Sequence, residues 1–259
     1  MKEVIKFNLK GPTAVIRKPE SNSVYFTYNN VHKIMILGII GAIIGENGYN
    51  FNQLKNELDI KSKNMPKELP EFYNNLKDLK IAVVPNSNLG VFSKKIQQFN
   101  NSVGYASKEE GNNLIVTEQY LENPSWDIYI LSNETDEYLK IKEYLLNHKC
   151  EYIPYIGKNE HFADICDVQL LEAEKCNNIC GNLDSIFTDN KYEFVNDFLE
   201  DILYSDKKTK FEYKEVMPTK LDADIGYINF KEFLFTNKKV EIKNANNIYL
   251  VENKNIYFF

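Results

Sequence analysis

The sequence predicts an α+β fold: a ferredoxin-like (RRM-like) unit carrying a long polar insertion, followed by a smaller β-rich C-terminal region. Three observations predict it. Apolar patterns of period 2 and period 3.6 follow one another as strand, helix, strand, strand, helix, strand, the split βαβ order. Residues 86–125 interrupt that order between its second and third strands, and 86–112 have little apolar periodicity. Residues 211–259 break into strand-like runs with asparagine-rich turns at 244–247 and 253–255. The expected division is 1–160, with 86–112 as an excursion, and 161–259, which opens with a helix. At 259 residues, 43% apolar and 26% charged, the chain is not a disordered or collagen-like one.

Each element has a local reason. Val4–Leu9 alternates loosely and reads as a strand, ended by Gly11-Pro12. Val31–Gly45 reads as a helix buried on nearly all sides, since its apolar residues cover most of the circumference. A short helix is expected at 51–59. Leu79–Val84 is a dense apolar run stopped by Pro85 and reads as a buried strand. Leu114–Val116 reads as a returning strand and Trp126–Leu131 as the next. Thr135–Asn147 is amphipathic and helical, and Tyr152–Ile156, interrupted by Pro154, reads as an edge strand. The spacing at 195, 198, 199, 202 and 203 predicts a helix over 191–204.

The net charge of −6 argues against a nucleic-acid partner until it is divided. Residues 1–40 carry +4, whereas residues 150–205 carry −9. One end can meet phosphate while another repels it. The cations are 30 lysines and one arginine, Arg17, so that arginine stands out. The most apolar run, Ile34–Ile44, is too short to span a bilayer, and the first ten residues do not resemble a secretory signal. With four cysteines the expected setting is the reducing cytoplasm, without a membrane partner.

Gly38, Gly41 and Gly45 lie inside the apolar run with no strand directly before them and no lysine after, so helix packing is favoured over a phosphate cradle. Among Cys150, Cys166, Cys176 and Cys180 only the last two are close, which favours buried thiols over a metal site. Of the histidines, His148 fits a helix C-terminus, His161 has no evident partner, and His32 stands beside Lys33 near Tyr25 and Tyr28. That constellation could serve metal-independent RNA cleavage, but a histidine bonded to backbone or stacked on a base is favoured. No carboxylate pair, Ser-His-Asp set or Walker-type pattern is present, and no cofactor is expected. Two stretches combine cations, aromatics and amides, as single-stranded RNA requires. Residues 17–33 supply Arg17, Lys18, Tyr25, Tyr28, His32 and Lys33, and residues 92–105 supply Lys94, Lys95, Gln98, Phe99 and Asn100. Two polar loops in an asparagine-rich chain fit these residues equally well.

Phe7–Lys18, containing Gly11-Pro12-Thr13-Ala14-Val15-Ile16-Arg17, followed by His32–Gly45, resembles the opening of CRISPR-associated protein family 5, a RAMP subunit of type I Cascade complexes. The His-Lys pair before the glycine helix is most similar to the type I-B branch. Thr117–Pro124 and Tyr155–Glu160 resemble its middle segments, so the likeness spans about residues 1–165. The resemblance implies a ferredoxin-like RAMP domain with a thumb at 86–112. It also implies a subunit that holds the 5′ handle of the crRNA and caps the backbone filament in antiviral defence. Partners would be crRNA, the Cascade backbone subunit and the large subunit, with target DNA reached through the complex. The expected RNA-binding set is Arg17, Lys18, Tyr28, His32, Lys33, Lys94, Lys95, Gln98 and Asn100, with no catalytic and no metal-binding residue. The alternative is a metal-independent endoribonuclease that processes precursor crRNA, as one branch of the family is.

Overall fold

In the computed structural model, residues 1–20, 24–49, 68–100, 108, 115–188, 192–195, 209–243 and 245–259 are described. They form a mixed, strand-rich α/β structure. In chain order come β1 (Lys2–Lys10), β2 (Thr13–Ala14), β3 (Val24–Tyr25), α1 (Lys33–Ile44), α2 (Glu71–Leu76), β4 (Lys80–Pro85), β5 (Lys94–Asn100), β6 (Ile115–Glu122), β7 (Ser125–Leu131) and α3 (Asp136–Leu146). Then follow β8 (Asp164–Lys175), β9 (Asn178–Gly181), β10 (Tyr192–Phe194), β11 (Glu212–Asp222), β12 (Gly226–Thr236), β13 (Val240–Lys243), β14 (Ile248–Val251) and β15 (Lys254–Tyr257).

The main sheet is antiparallel, in the order β15-β14-β8-β1-β7-β4. Its centre is β1, whose Ile5, Phe7 and Leu9 face the helices while Val4 lies in a second core on the other side. The helix-side core joins these residues to α1, α2, α3 and Trp126. The second core joins Val4 to Ala82, Tyr129, Leu131, Val251 and Phe258. The sheet curls far enough that its two edges nearly meet. Ile81 of β4 and Phe259, just past β15, exchange two backbone hydrogen bonds of 3.2 and 2.9 Å. Residues 184–186 fill the gap, with Asp184 N–H donating to Asn255 and Ile186 N–H to Val83. Strands β8, β14 and β15 lie beyond residue 160, yet extend the sheet that β1, β4 and β7 begin.

Two expected elements differ. Tyr152–Ile156 is not a strand of the sheet; the strand following α3 is β8. The N–H groups of Glu151 and Tyr152 instead satisfy the carbonyls of Ile43 and Ala42 in the last turn of α1. Ile153 is 70% exposed, so its apolar character marks surface rather than core. In the predicted helix 191–204, Tyr192–Phe194 is strand β10, paired with β13. Residues 196–204 and the expected helix 51–59 lie outside the described residues. β9, β13 and β10 make a small three-stranded sheet, and β11 and β12 pair as a long ribbon.

Helix α1 shows why its glycines are there. A Cβ on Gly41 would lie 2.5 Å from the Cβ of Phe72, so the small residue admits α2. At the other end Gly45 closes the helix at φ +84. His32 is the N-cap: the Met35 N–H donates to its Nδ1 at 3.2 Å. Its ring is 1% exposed and meets Tyr28 and Tyr227 edge-on, with centroids 5.7 and 5.1 Å away.

Burial holds the His32 pKa down to about 3. The folded chain therefore keeps the ring neutral while the unfolded chain protonates it near pH 6.5. The unfolded state binds the extra proton between about pH 6.5 and 3, so stability falls as pH falls through that window, by up to about 1.4 kcal/mol per unit. Urea unfolding of the wild type and of His32→Asn, which keeps a cap acceptor but cannot titrate, is expected to show the wild type losing ground from pH 7 to 4. Parallel pH profiles would reject this.

Candidate nucleic-acid interface

The second sheet is organised by β6. Strand β5 runs along one edge, while β2 and β3 share the other. Tyr25 of β3 pairs with Glu118 of β6, which pairs with Gln97 of β5, so the three stand in a row on one face. Phe99 lies two residues from Gln97 and shares that face. Arg17, bridged to Thr27, lays its guanidinium 3.8 Å from the centroid of the Tyr25 ring. The Lys158 ammonium comes from the loop after α3 and sits 5.9 Å from the Tyr25 centroid and 5.5 Å from that of Phe99.

A carboxylate holds this arrangement. Glu118 is fully buried, accepts a 3.0 Å bond from Gln97 Nε2 and forms an ion pair with Lys158. The loop carrying Lys158 is pressed on the backbone of Val15: Gly157 has φ +96, and a Cβ there would fall 1.6 Å from the Val15 carbonyl oxygen. The Val15 N–H donates to Ile156 O at 3.2 Å, and Thr13 Oγ1 lies 2.6 Å from His161 Nδ1. Burial pushes the His161 pKa down.

A second group lies beside it. Lys94 Nζ donates to Thr27 O at 2.9 Å, and Lys18 Nζ lies 3.9 Å from Glu215 and 5.0 Å from the Tyr28 ring centroid. Glu215 of β11 is buried and accepts from the N–H groups of Asn29 and Asn30 at 2.9–3.1 Å. Asn29 in turn bonds Gly90 O and Phe92 N–H, and Asn30 Oδ1 accepts from Trp126 Nε1. The two stretches singled out in the sequence thus meet across β6, with two buried carboxylates, Glu118 and Glu215, among their cations.

The expected residues separate. Arg17, Lys18, Lys94, Lys95, Gln98 and Asn100 belong to this sheet and its margins. Strand alternation puts Lys94, Gln98 and Asn100 on the face opposite Lys95. Lys95 is paired with Glu122 at 2.6 Å, and Gln98 Nε2 donates to Thr117 Oγ1 at 3.2 Å. Two assignments are corrected. Tyr28 is buried and cannot offer a face to a base, and its hydroxyl has no hydrogen-bond partner among the described residues. His32 is enclosed between Tyr28 and Tyr227, so it neither stacks on RNA nor moves a proton at a surface. Lys33 is drawn elsewhere. It donates to Phe259 O at 3.3 Å, and burial lowers its pKa to about 8.

Sequence reasoning passed over Lys158, Glu118 and Glu215. The first lay in the segment Tyr155–Glu160 that resembles the family, and a glycine directly before a lysine was the available signal. Glu118 lay in the other family-like segment, Thr117–Pro124, and Glu215 is a single acid; the partners of both lie far along the chain. The thiols are less buried than expected: Cys150 and Cys180 are exposed, Cys166 and Cys176 partly so. Among the described residues no cluster of His, Cys, Asp or Glu could hold a metal, and no helix is long and apolar enough to cross a membrane. A groove of about 580 Å³ beside α1 is lined mainly by apolar and aromatic residues, with Glu46 the charged member among the described residues.

No family model matches the sequence, and no curated protein does. In structure the chain is similar to a chain of a "CRISPR RNA-guided surveillance complex", with a TM-score of 0.51 at 11% identity over 91% of each chain. Two further likenesses are lower. A CRISPR protein from Archaeoglobus fulgidus gives a TM-score of 0.46 at 10% identity over 98% of both chains. A chain described as a Cas protein gives 0.44 at 12% identity, covering 91% of this chain and 95% of that one. The first of the three shows a shared fold.

Proposed function

We propose that this chain is a non-catalytic RNA-binding subunit of a type I CRISPR Cascade effector complex, of the family 5 type and nearest the I-B branch. It holds the 5′ handle of the crRNA and caps the backbone filament. The observation that carries the reading is the cation–aromatic face on β3, β6 and β5, where Arg17 stacks on Tyr25 beside Lys158 and Phe99. Cations for phosphate and rings for bases are what a single strand of RNA needs. Three further features support it. The strands β8-β1-β7-β4 have the order of a ferredoxin-like RAMP core. The β5–β6 arm falls within residues 86–125, the insertion in which the thumb is expected. A chain sharing the fold belongs to an RNA-guided surveillance complex. Backbone and large subunits are the proposed protein partners, with target DNA reached through them.

The endoribonuclease alternative loses its proposed base, because His32 is enclosed and its pKa is held near 3. Incubation with precursor crRNA in EDTA checks this, and discrete cleavage would overturn the non-catalytic reading. For the binding itself, the assembled complex is expected to retain repeat-derived RNA bearing an intact 5′ handle and to release a scrambled RNA. Equal or absent retention rejects the proposal. Arg17→Ala is expected to weaken handle binding and to flatten the slope of log affinity against log salt by about one. Unchanged affinity at two salt concentrations would remove Arg17 from the site.

A further inference from the structure

We infer that Lys158, Tyr25 and Phe99 form a single-nucleotide subsite, in which the ammonium takes one backbone phosphate of single-stranded RNA and an aromatic ring takes the adjoining base. The inference rests on the RNA-binding reading above and deepens it.

The geometry is that of a built position. The loop around Lys158 is pinned on both sides, by Gly157 against the Val15 backbone and by His161 against Thr13. Its ammonium stands within 6 Å of both ring centroids, the range of cation–π attraction. One N–H goes to Glu118, which is wholly buried, whereas the lysine side chain is 31% exposed. An ammonium has three donors, so the carboxylate anchors it from beneath and solvent-side capacity remains for an anion. Phe99 is 39% exposed on the same face, and the Arg17 guanidinium lies 3.8 Å from the Tyr25 ring centroid. A base has a π-face whatever its identity, so this subsite would be tolerant of sequence. Other cations nearby are committed differently: Lys95 to Glu122, and Lys94 to the Thr27 carbonyl.

Removing Lys158 alone would leave Glu118 charged and buried, so the comparison is made where that charge is already gone. Glu118→Gln and Glu118→Gln/Lys158→Met are compared in the assembled complex, with repeat-derived handle RNA at several salt concentrations and with melting curves as a control. The double variant is expected to have a salt slope lower by about one than the single variant, with melting unchanged between them. Phe99→Leu and Tyr25→Leu are expected to weaken binding without altering the slope, at least one of them measurably. Equal slopes in the first pair would show that Lys158 only neutralises Glu118, and would overturn the phosphate assignment. Unchanged affinity in both leucine variants would overturn the base assignment. In either case a wild type that still selects handle RNA leaves the broader proposal standing. A wild type that binds no RNA sinks both.

Discussion

Replacing Glu215 by alanine is expected to lower stability by about 3–5 kcal/mol, read as a shift in the urea or guanidinium midpoint. Its buried carboxylate is the acceptor for two consecutive backbone N–H groups, those of Asn29 and Asn30. Hydrogen bonds to a charged group are worth about 1.5–3 kcal/mol each, and stranded buried donors add their desolvation cost. The neighbourhood magnifies the loss. Asn29 ties Gly90 and Phe92 to this turn, and Asn30 ties the Trp126 indole. Lys18 and Lys94 lie close to the same carboxylate and would repel each other without it. Glu215→Gln keeps an acceptor and should lose about half as much. A change below about 1 kcal/mol for the alanine variant would mean that the turn finds other acceptors.

Gly157→Ala is expected to cost at least ~3 kcal/mol and to release the loop bearing Lys158. The left-handed backbone conformation alone costs a side chain about 1–3 kcal/mol. The added carbon would also sit 1.6 Å from the Val15 carbonyl oxygen and 2.7 Å from its carbon, distances that only backbone movement can relieve. The hydrogen bond from Val15 N–H to Ile156 O is the first to break. Chemical denaturation measures the stability, and limited proteolysis around residue 158 reports the loop. A variant as stable and as resistant as the wild type would contradict the close approach.

Much of the first half was legible because its burial is periodic. β1, α1, β4, β7 and α3 follow their apolar patterns to within a few residues, since a strand buried on both faces and a helix walled by sheet leave continuous or 3.6-fold signals. β8 was not legible. Its twelve residues are mostly exposed or half-buried and rich in acids, so what reads as a solvated face is a polar strand paired on both edges, with β1 and with β14. Tyr152–Ile156 shows the reverse, an apolar run whose Tyr152, Ile153 and Tyr155 are exposed while Ile156 is buried. Within the site, chain position revealed which cations were present but not which were enclosed. His32 is covered partly by Tyr227, a residue from β12 that nothing in its own segment announces. Lys158 reaches Tyr25 only because β3 pairs in parallel with β6, a long-range register that no local pattern encodes.

The near-meeting of the sheet's two edges has a kinetic consequence. Ile81 finds its hydrogen-bonding partner in Phe259, and β1 is flanked by a strand that begins at Asp164. Contacts so remote along the chain delay folding, because loop closure must precede their reward. As the polypeptide leaves the ribosome, the β4 margin at Ile81 therefore waits unpaired until Phe259 is made. That interval exposes a β edge able to template wrong associations, and truncations just short of residue 248 should aggregate even though the β5–β6 arm is complete.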